Sequence, residues 1–398
     1  MSWLSDRLGH TKNDTHKPVS QTDISDRKSL NPSGFINLHE THSANWSSRN
    51  YVSMSREGFM RNPIAHRAIR MIAETAANVP WSLVENDQTL DTHAALDLMQ
   101  KPNAYCAGAD FLEGIYGHLL LSGNAFIKLT LNDEKPFELH AMRPDRIRVI
   151  SGSDGWPEAF EYQVGHHKER FAIGSDQTTK ILHLKLFYPL DDHMGFAPLE
   201  AAMTALDLHN SASAWNKALL DNSACPSGAL VYQPKDGGNL TQDQFDRLKS
   251  ELEEGYSGVK RAGRPLLLEG GLDWKAIGLT PKDMDFVEAK NGASRDIALA
   301  LGVPPMLLGI PGDNTYANYQ EANRAFSRLT VLPLVMRIAA NLSAFIAEHY
   351  DEKLRFEPDI KKMSGLASER DSLWTRIQMA TFLSDDEKRK AVGYQINS

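Results

Sequence analysis

The stretch MDFVEAKNGASRDIALALGVPPMLLG (284–309), followed at 314–334 by NTYANYQEANRAFSRLTVLPL, sets out a helix, a break and a second helix. Gly302 with Val303-Pro304-Pro305 behind it is the punctuation of a helix end, so a helix is predicted over 283–301. Residues 307–315 follow as a loop rich in Gly, Pro and Asn, and either Asn314 or Thr315 can cap what comes next. From 316 to 350 the pattern is helical again, interrupted at Pro333. Proline lacks the N–H, and its ring crowds the carbonyl four residues back, so a kink is predicted there.

Immediately upstream, 225–282 reads as a compact insert: strand ALVYQ, a helix, then the hairpin PLLLE-GG-LDWKAI. The helix start carries a capping box, Thr241 with Gln244, and a hydrophobic staple, Leu240 with Phe245; Phe245, Leu248 and Leu252 form its predicted buried face. Before the insert, Pro198 opens a long helix predicted over 198–222, about 37 Å at 1.5 Å per residue. Its apolar stripe (Leu199, Met203, Leu206, Trp215, Leu219) is thin and is broken by His209-Asn210-Ser211-Ala212-Ser213. Alone in water such a helix is marginal. Packing between neighbouring copies, with Asn210, Ser211 and Ser213 allowing close approach, resolves the difficulty.

Farther upstream the period changes. Residues 125–187 hold short runs (AFIKLTL, ELHAM, RIRVI, AFEYQV, KILHLKLF) separated by turn chemistry such as SGSDG. Helices are predicted from the N-cap Asn62 and Pro63 to Pro80, over 94–99, and over 110–121 with Gly123-Asn124 as its exit; WSLVE reads as a strand. A small, largely antiparallel sheet with helices packed on it is an α+β domain. Downstream, KLRFE is a short strand, and Ser384-Asp385-Asp386-Glu387 caps a helix in a polar tail. Residues 1–50 are polar and weakly patterned, a mobile arm that orders only on a partner.

The chain has 398 residues with a formal net charge of −8, 41% hydrophobic and 24% charged residues, and two cysteines. This composition excludes collagenous, broadly disordered and disulfide-scaffold classes, and the two thiols suit a reducing compartment. No uninterrupted apolar run approaches the roughly 18–20 residues that span a bilayer, and MSWLSDRLGHTKND lacks a secretory h-region. A soluble cytosolic product with no membrane partner is expected. The acidic total argues against gripping nucleic acid by bulk charge.

The chemistry of sites is thin. Gly258-Val-Lys-Arg-Ala-Gly263-Arg264-Pro265 approaches a P-loop, but arginine replaces the lysine and proline sits at the hydroxyl position. His39-Glu40-Thr41-His42 is one residue short of a zincin spacing, and His166-His167 would point to opposite faces of a strand. Asp191-Asp192-His193 is the best metal candidate, for a soluble metal-dependent hydrolase, against a plain solvated turn. Cys106 and Cys225 carry no thiol-enzyme signature. No enzyme, metal or cofactor is expected.

The order of parts is more informative. NPIAHRAIRMIAETAANVPW (62–81), LLLSGNAFIKL (119–129), LHAMRPDRIRV (139–149), HMGFAPLEAA (193–202) and the 284–334 stretch together resemble the portal proteins of tailed bacteriophages. The type is that of siphovirus (HK97-like) heads and bacterial gene transfer agents, matched in order over roughly 55–395.

The resemblance implies a fold and a division of the chain: arm 1–50, α+β wing 51–195, first stem helix 196–224, clip 225–282, second stem helix 283–302, tunnel loop 303–315, kinked long helix and wing strand 316–358, and a reduced crown 359–398. It implies a ring of twelve copies at one capsid vertex, through which a terminase motor packages double-stranded DNA and from which the DNA is later ejected. A non-portal head–tail connector ring is the alternative, and the paired stem around a clip argues against it. Implied partners are further copies of the chain, DNA held without sequence specificity, the major capsid protein, the terminase large subunit and a head-completion or adaptor protein.

The implied channel loop comprises Gly309, Pro311, Gly312, Asp313, Asn314, Thr315 and Tyr316, with Tyr319 beside it. Asp283, Asp285 and Glu288 are the implied channel-facing acids, Pro333 the hinge, and Arg324, Arg328 and Arg337 bridge subunits or touch DNA sparsely. Twelve copies turn −8 into twelve times −8, or −96. Such an assembly conducts a polyanion rather than gripping it.

Overall fold

A computed structural model describes residues 46–86, 88–174, 179–221, 228–232, 241–256, 272–276, 285–312, 315–350 and 353–392. The predicted arm up to residue 45, the His39–His42 spacing, the P-loop-like 258–265 and Cys225 lie outside them. Helix α1 (Tyr51–Ser53) runs into a π-helical segment, Met54–Met60, and then α2 (Pro63–Ala77). Strands β1 (Trp81–Glu85) and β2 (Gln88–Leu90) precede α3 (Ala94–Gln100) and α4 (Gly108–Ser122). Six strands follow: β3 (Asn124–Asn132), β4 (Lys135–Met142), β5 (Ile147–Ser151), β6 (Pro157–Val164), β7 (His167–Ala172) and β8 (Ile181–Lys185).

The predicted helix over 198–222 forms as α5 (Pro198–Ala201) and α6 (Met203–Asp221), divided at Ala202. The insert contains β9 (Gly228–Tyr232), α7 (Gln242–Tyr256) and β10 (Leu272–Ala276). Then come α8 (Phe286–Ala300), α9 (Tyr316–Phe326), a π-helical segment Ser327–Val331, α10 (Leu332–Ala347), β11 (Leu354–Pro358), α11 (Ala367–Met379) and α12 (Asp385–Ala391).

Local signals place these elements well. The Asn62 side chain accepts from Ile64 and Ala65 N–H at 3.0 Å each, with Pro63 opening α2. The Thr241–Gln244 capping box closes at 3.0 and 3.4 Å, and the Ser384–Glu387 box at 2.8 and 3.3 Å. Helix α4 ends at Gly123 in the left-handed region. One expectation fails: Phe245 on α7 is 44% exposed rather than buried. The described part of the insert's sheet is two strands wide, and so small a sheet covers little.

The wing departs from a single sheet. Strands β4-β3-β8 form one antiparallel sheet and β5-β6-β7 another, while β11 returns from the far end of the sequence to pair with β1. Alternation along β3 explains the stacking. Ala125, Ile127 and Leu129 face the main core with α2, α4 and α10, whereas Phe126 faces the second sheet's Ile147, Phe160 and Phe171. Both faces of β3 are therefore buried.

The run Tyr316–Ala347 is long and apolar enough to cross a membrane by length and composition. Its apolar side (Val335, Ile338, Leu342 and Ile346) is buried in the main core, which accounts for that composition. Proline 333 sits in the first turn of α10, and the irregularity lies just upstream, in the π-helical segment. Leu329, whose carbonyl the Pro333 ring would crowd, falls inside that segment, so widening the turn there relieves the clash.

Candidate functional site

Helix α8 leads into the loop through a fully formed C-cap. Gly302 has φ +68°, its N–H bonds the Leu299 carbonyl at 3.0 Å, and Val303 N–H bonds Ala298 at 2.9 Å, the pairing of a Schellman motif. The Thr330 hydroxyl donates to the Gly302 carbonyl at 2.5 Å, tying this corner to the π-helical segment. A 3-10 turn, Pro305–Leu308, ends at Gly309 with φ +71°, and Ile310 is buried.

Pro311 and Gly312 are exposed. The Arg295 guanidinium of α8 donates to the Pro311 carbonyl, and a Cβ on Gly312 would stand 3.1 Å from it. Asp313 and Asn314 lie outside the described residues. Of the two candidate caps Thr315 does the work, accepting from Asn318 N–H at 3.2 Å. Tyr316 and Tyr319 beside it are 79% and 51% exposed, and the Tyr316 hydroxyl accepts from Gln320 at 3.1 Å.

The described candidate acids sit where the sequence put them, at the entry of the second long helix. Asp285 and Glu288 are exposed at the start of α8, whose 15 residues span about 22 Å, and the loop is at its other end. Asp283 lies outside the described residues. The two long helices pack through stacked Trp215 and Phe286, 4.5 Å between centroids and 22° between planes, just beside Asp285.

The polar break in α6 has a different role from the one expected. His209 and Asn210 are buried inside the chain, not held out for neighbouring copies. Asn62 donates to His209 Nδ1 at 3.1 Å and to Asn210 Oδ1 at 3.0 Å, and Asn210 donates to the Glu57 carbonyl at 2.9 Å. Burial, then the charge of Lys290, hold the His209 imidazole below its ordinary pKa. Of the small residues named, Ser211 remains exposed. Arg324 and Arg328 reach the tail within the chain, meeting Glu369 at 4.0 and 3.2 Å. Arg337 is exposed on α10.

A second junction was not legible in the sequence. Gly123 and Gly195 cross so closely that a Cβ on Gly195 would stand 2.1 Å from the Gly123 carbonyl oxygen. Buried Asn124 seals the crossing: it accepts from Gly195 N–H at 2.7 Å and His183 at 2.9 Å, and donates to the Gly195 carbonyl at 3.1 Å. His183 stacks on Phe126 at 4.2 Å, and burial, with Lys185 and His193, pushes its pKa down to about 3. The SGN and MGF segments, far apart in sequence, thus fix where α5 and α6 leave the sheet of β4, β3 and β8.

Asp191, Asp192 and His193 form a turn. Asp191 accepts backbone N–H groups of His193 and Met194 at 2.8 and 2.9 Å, and these bonds hold its carboxyl below the usual range. The Asp192 carbonyl accepts from Lys185, and Ser151 Oγ lies 3.2 Å from His193 Nε2. Among the described residues no group of three His, Cys, Asp or Glu side chains is placed to hold a metal. Cys106 is a free thiol near Asn103, 3.4 Å from its Oδ1.

A family model described as phage portal protein matches residues 63–393. A chain in the neck of an empty GTA particle, computed with C6 symmetry, is 48% identical, with a TM-score of 0.72 over 88% of this chain and 95% of that one. A chain in the neck of the native particle, computed with C12 symmetry, gives the same identity and coverage and a TM-score of 0.69. The probable portal protein of Streptomyces phage phiC31 is 26% identical over 340 residues, 81% of this chain and 72% of its own.

Proposed function

Because the chain belongs to the phage portal protein family, we propose that it is one subunit of a dodecameric ring at one capsid vertex, the channel through which double-stranded DNA is packaged by a terminase motor and later ejected. The observation that carries this reading is the 48% identity, over 88% of the chain, to a neck subunit of particles reconstructed with C6 and C12 symmetry. Its role is structural: the terminase does the chemical work.

In this reading residues 51–195 with 316–358 are the wing, meeting the major capsid protein. Residues 196–224 and 283–302 are the paired stem, consistent with the contact of α6 and α8 through Trp215 and Phe286. Residues 225–282 are the clip, which meets the terminase large subunit and then a head-completion or adaptor protein, and 359–398 are the reduced crown. The protein is located at the portal vertex of a virion or gene-transfer-agent particle, assembled in the bacterial cytoplasm.

The loop 303–315 narrows the bore. Arg295 holds the loop by the Pro311 carbonyl, and Thr315 restarts the helix beyond it. Exposed Asp285 and Glu288, repeated around the ring, line a lower level about one helix length away. Like charge keeps a duplex centred and avoids the affinity that each phosphate–cation contact would add. Pro333, with its π-helical neighbour, is the hinge of the long helix.

Electron-microscope class averages or native mass test the ring: about a dozen subunits with a central hole are expected, and a stable monomer or dimer overturns it. Deleting residues 312–314 should leave ring assembly intact and lower the DNA packaged per particle. Unchanged DNA content removes the loop from the mechanism.

A further inference from the structure

The described tail leaves a cavity open between α9 and the helices α11 and α12. It has a volume of about 550 Å³, and its wall includes Arg324, Arg328, Arg376, Glu369, Leu373 and Trp374. Three arginines and one glutamate thus share that wall. Glu369 meets Arg328 at 3.2 Å and Arg324 at 4.0 Å, Glu321 takes a further bond from Arg324, and Arg376 Nε donates to the Ser372 carbonyl at 3.3 Å. Leu373 and Trp374 remain 40% and 45% exposed, so the apolar part of the wall is half covered.

The same chain presents the complement. Met379, which ends α11, is 75% exposed, and Phe382 in the turn before α12 is 85% exposed. Ser384-Asp385-Asp386-Glu387 follow at once. Glu387 is held by the Ser384 N–H at 2.8 Å, but Asp385 and Asp386 are exposed, Asp386 with Arg389 at 3.8 Å. A phenyl ring left this open, beside two outward carboxylates, matches a half-covered apolar wall edged by excess arginine. Its exposure shows that it does not fill the cavity of its own chain.

We propose that the Phe382–Asp386 turn of one copy seats in the Arg324/Arg328/Arg376–Trp374 cavity of the next copy. The inference rests on the ring reading. A closed ring uses a heterologous interface, in which each copy offers one patch to one neighbour and a different patch to the other, and these two patches differ in that way. Phe382 meets Leu373 and Trp374, while Asp385 and Asp386 meet the arginines at the edge, where charge sets register and partner choice.

The test uses the full chain with its two native cysteines replaced by serine (C106S and C225S) and carrying L373C and F382C together, assembled and treated with a short bis-maleimide. A ladder of covalent dimers, trimers and higher species on a denaturing gel is expected, absent from each single variant. Arg376→Glu should lower ladder yield about tenfold, and Asp385→Arg in the same chain should restore it. Intact rings that give no ladder overturn the contact. If a DNA duplex instead protects the L373C thiol and no ladder forms, the cavity serves phosphate and the contact is overturned. A chain that stays monomeric at every concentration fails earlier, at the ring reading, and is told apart by native mass.

Discussion

Replacing Asn62 with alanine should cost far more than an ordinary helix cap. Asn62 is 1% exposed and its amide works in two directions. Its oxygen accepts from Ile64 and Ala65 N–H at 3.0 Å each, a cap worth about 1 kcal/mol. Its nitrogen donates to Asn210 at 3.0 Å and His209 at 3.1 Å, and truncation leaves both buried acceptors without that donor, at about 1–2 kcal/mol apiece. The expected loss is about 3–5 kcal/mol. Thr315→Ala removes one exposed cap bond, at 3.2 Å, and should cost about 1 kcal/mol.

Equilibrium urea unfolding of the full chain, followed by circular dichroism, measures both variants against the parent. If Asn62→Ala costs no more than Thr315→Ala, the buried network is not what joins α6 to α2. Asn62→Asp separates the two directions, because it keeps the cap and loses the donor. Its carboxylate faces His209 and raises the imidazole pKa in the folded state. Relative to the parent, the stability this adds is full once pH falls below the parent's depressed folded value and is lost as pH rises through the variant's higher one. Asn62→Asp should therefore lie closer to the parent at pH 5.5 than at pH 8.

Among the described residues the buried Tyr116 hydroxyl has no hydrogen-bond partner, so Tyr116→Phe should stabilise the chain by about 1 kcal/mol in the same assay; destabilisation refutes that reading. Burial pushes the imidazoles of His118 and His183 down to about 4 and about 3. Each is neutral when folded, so the stability it contributes is full above about pH 6.5 and falls as pH drops toward those values, by at most about 1.4 kcal/mol per pH unit for each group. Unfolding midpoints at pH 7, 5 and 4 should show that fall, and His183→Gln should flatten it. An equal slope in both proteins removes His183 as its cause.

The elements legible in advance are those set by a few neighbouring residues. Asn62-Pro63, Gly123, Thr241 with Gln244, Gly302 with Val303, and Ser384 with Glu387 each fix a helix end through bonds spanning five residues or fewer. Strand periodicity in 125–187 was equally readable. The ordered motifs from 62 to 334 carried the family, because each resides in a segment whose local shape it dictates. The loop's position between α8 and α9 followed from the same punctuation.

What the sequence by itself determined is thus the succession of elements, their caps and the kind of protein they build. Tertiary structure alone decided which polar residues turn inward, where long-range segments cross and which sites are shared. Asn210, expected with Ser211 and Ser213 to let neighbouring copies approach, is instead buried beside His209, and both link to Asn62, 148 and 147 residues away. The described strands outside the insert fall into three sheets, with β8 returning to β3 and β11 to β1. The interruption predicted at Pro333 takes the form of a π-helical segment, Ser327–Val331, just upstream of it. The physical reason is range: a cap is satisfied within its own turn, whereas a buried amide takes whatever partner the packed core brings to it, and no local pattern names that partner.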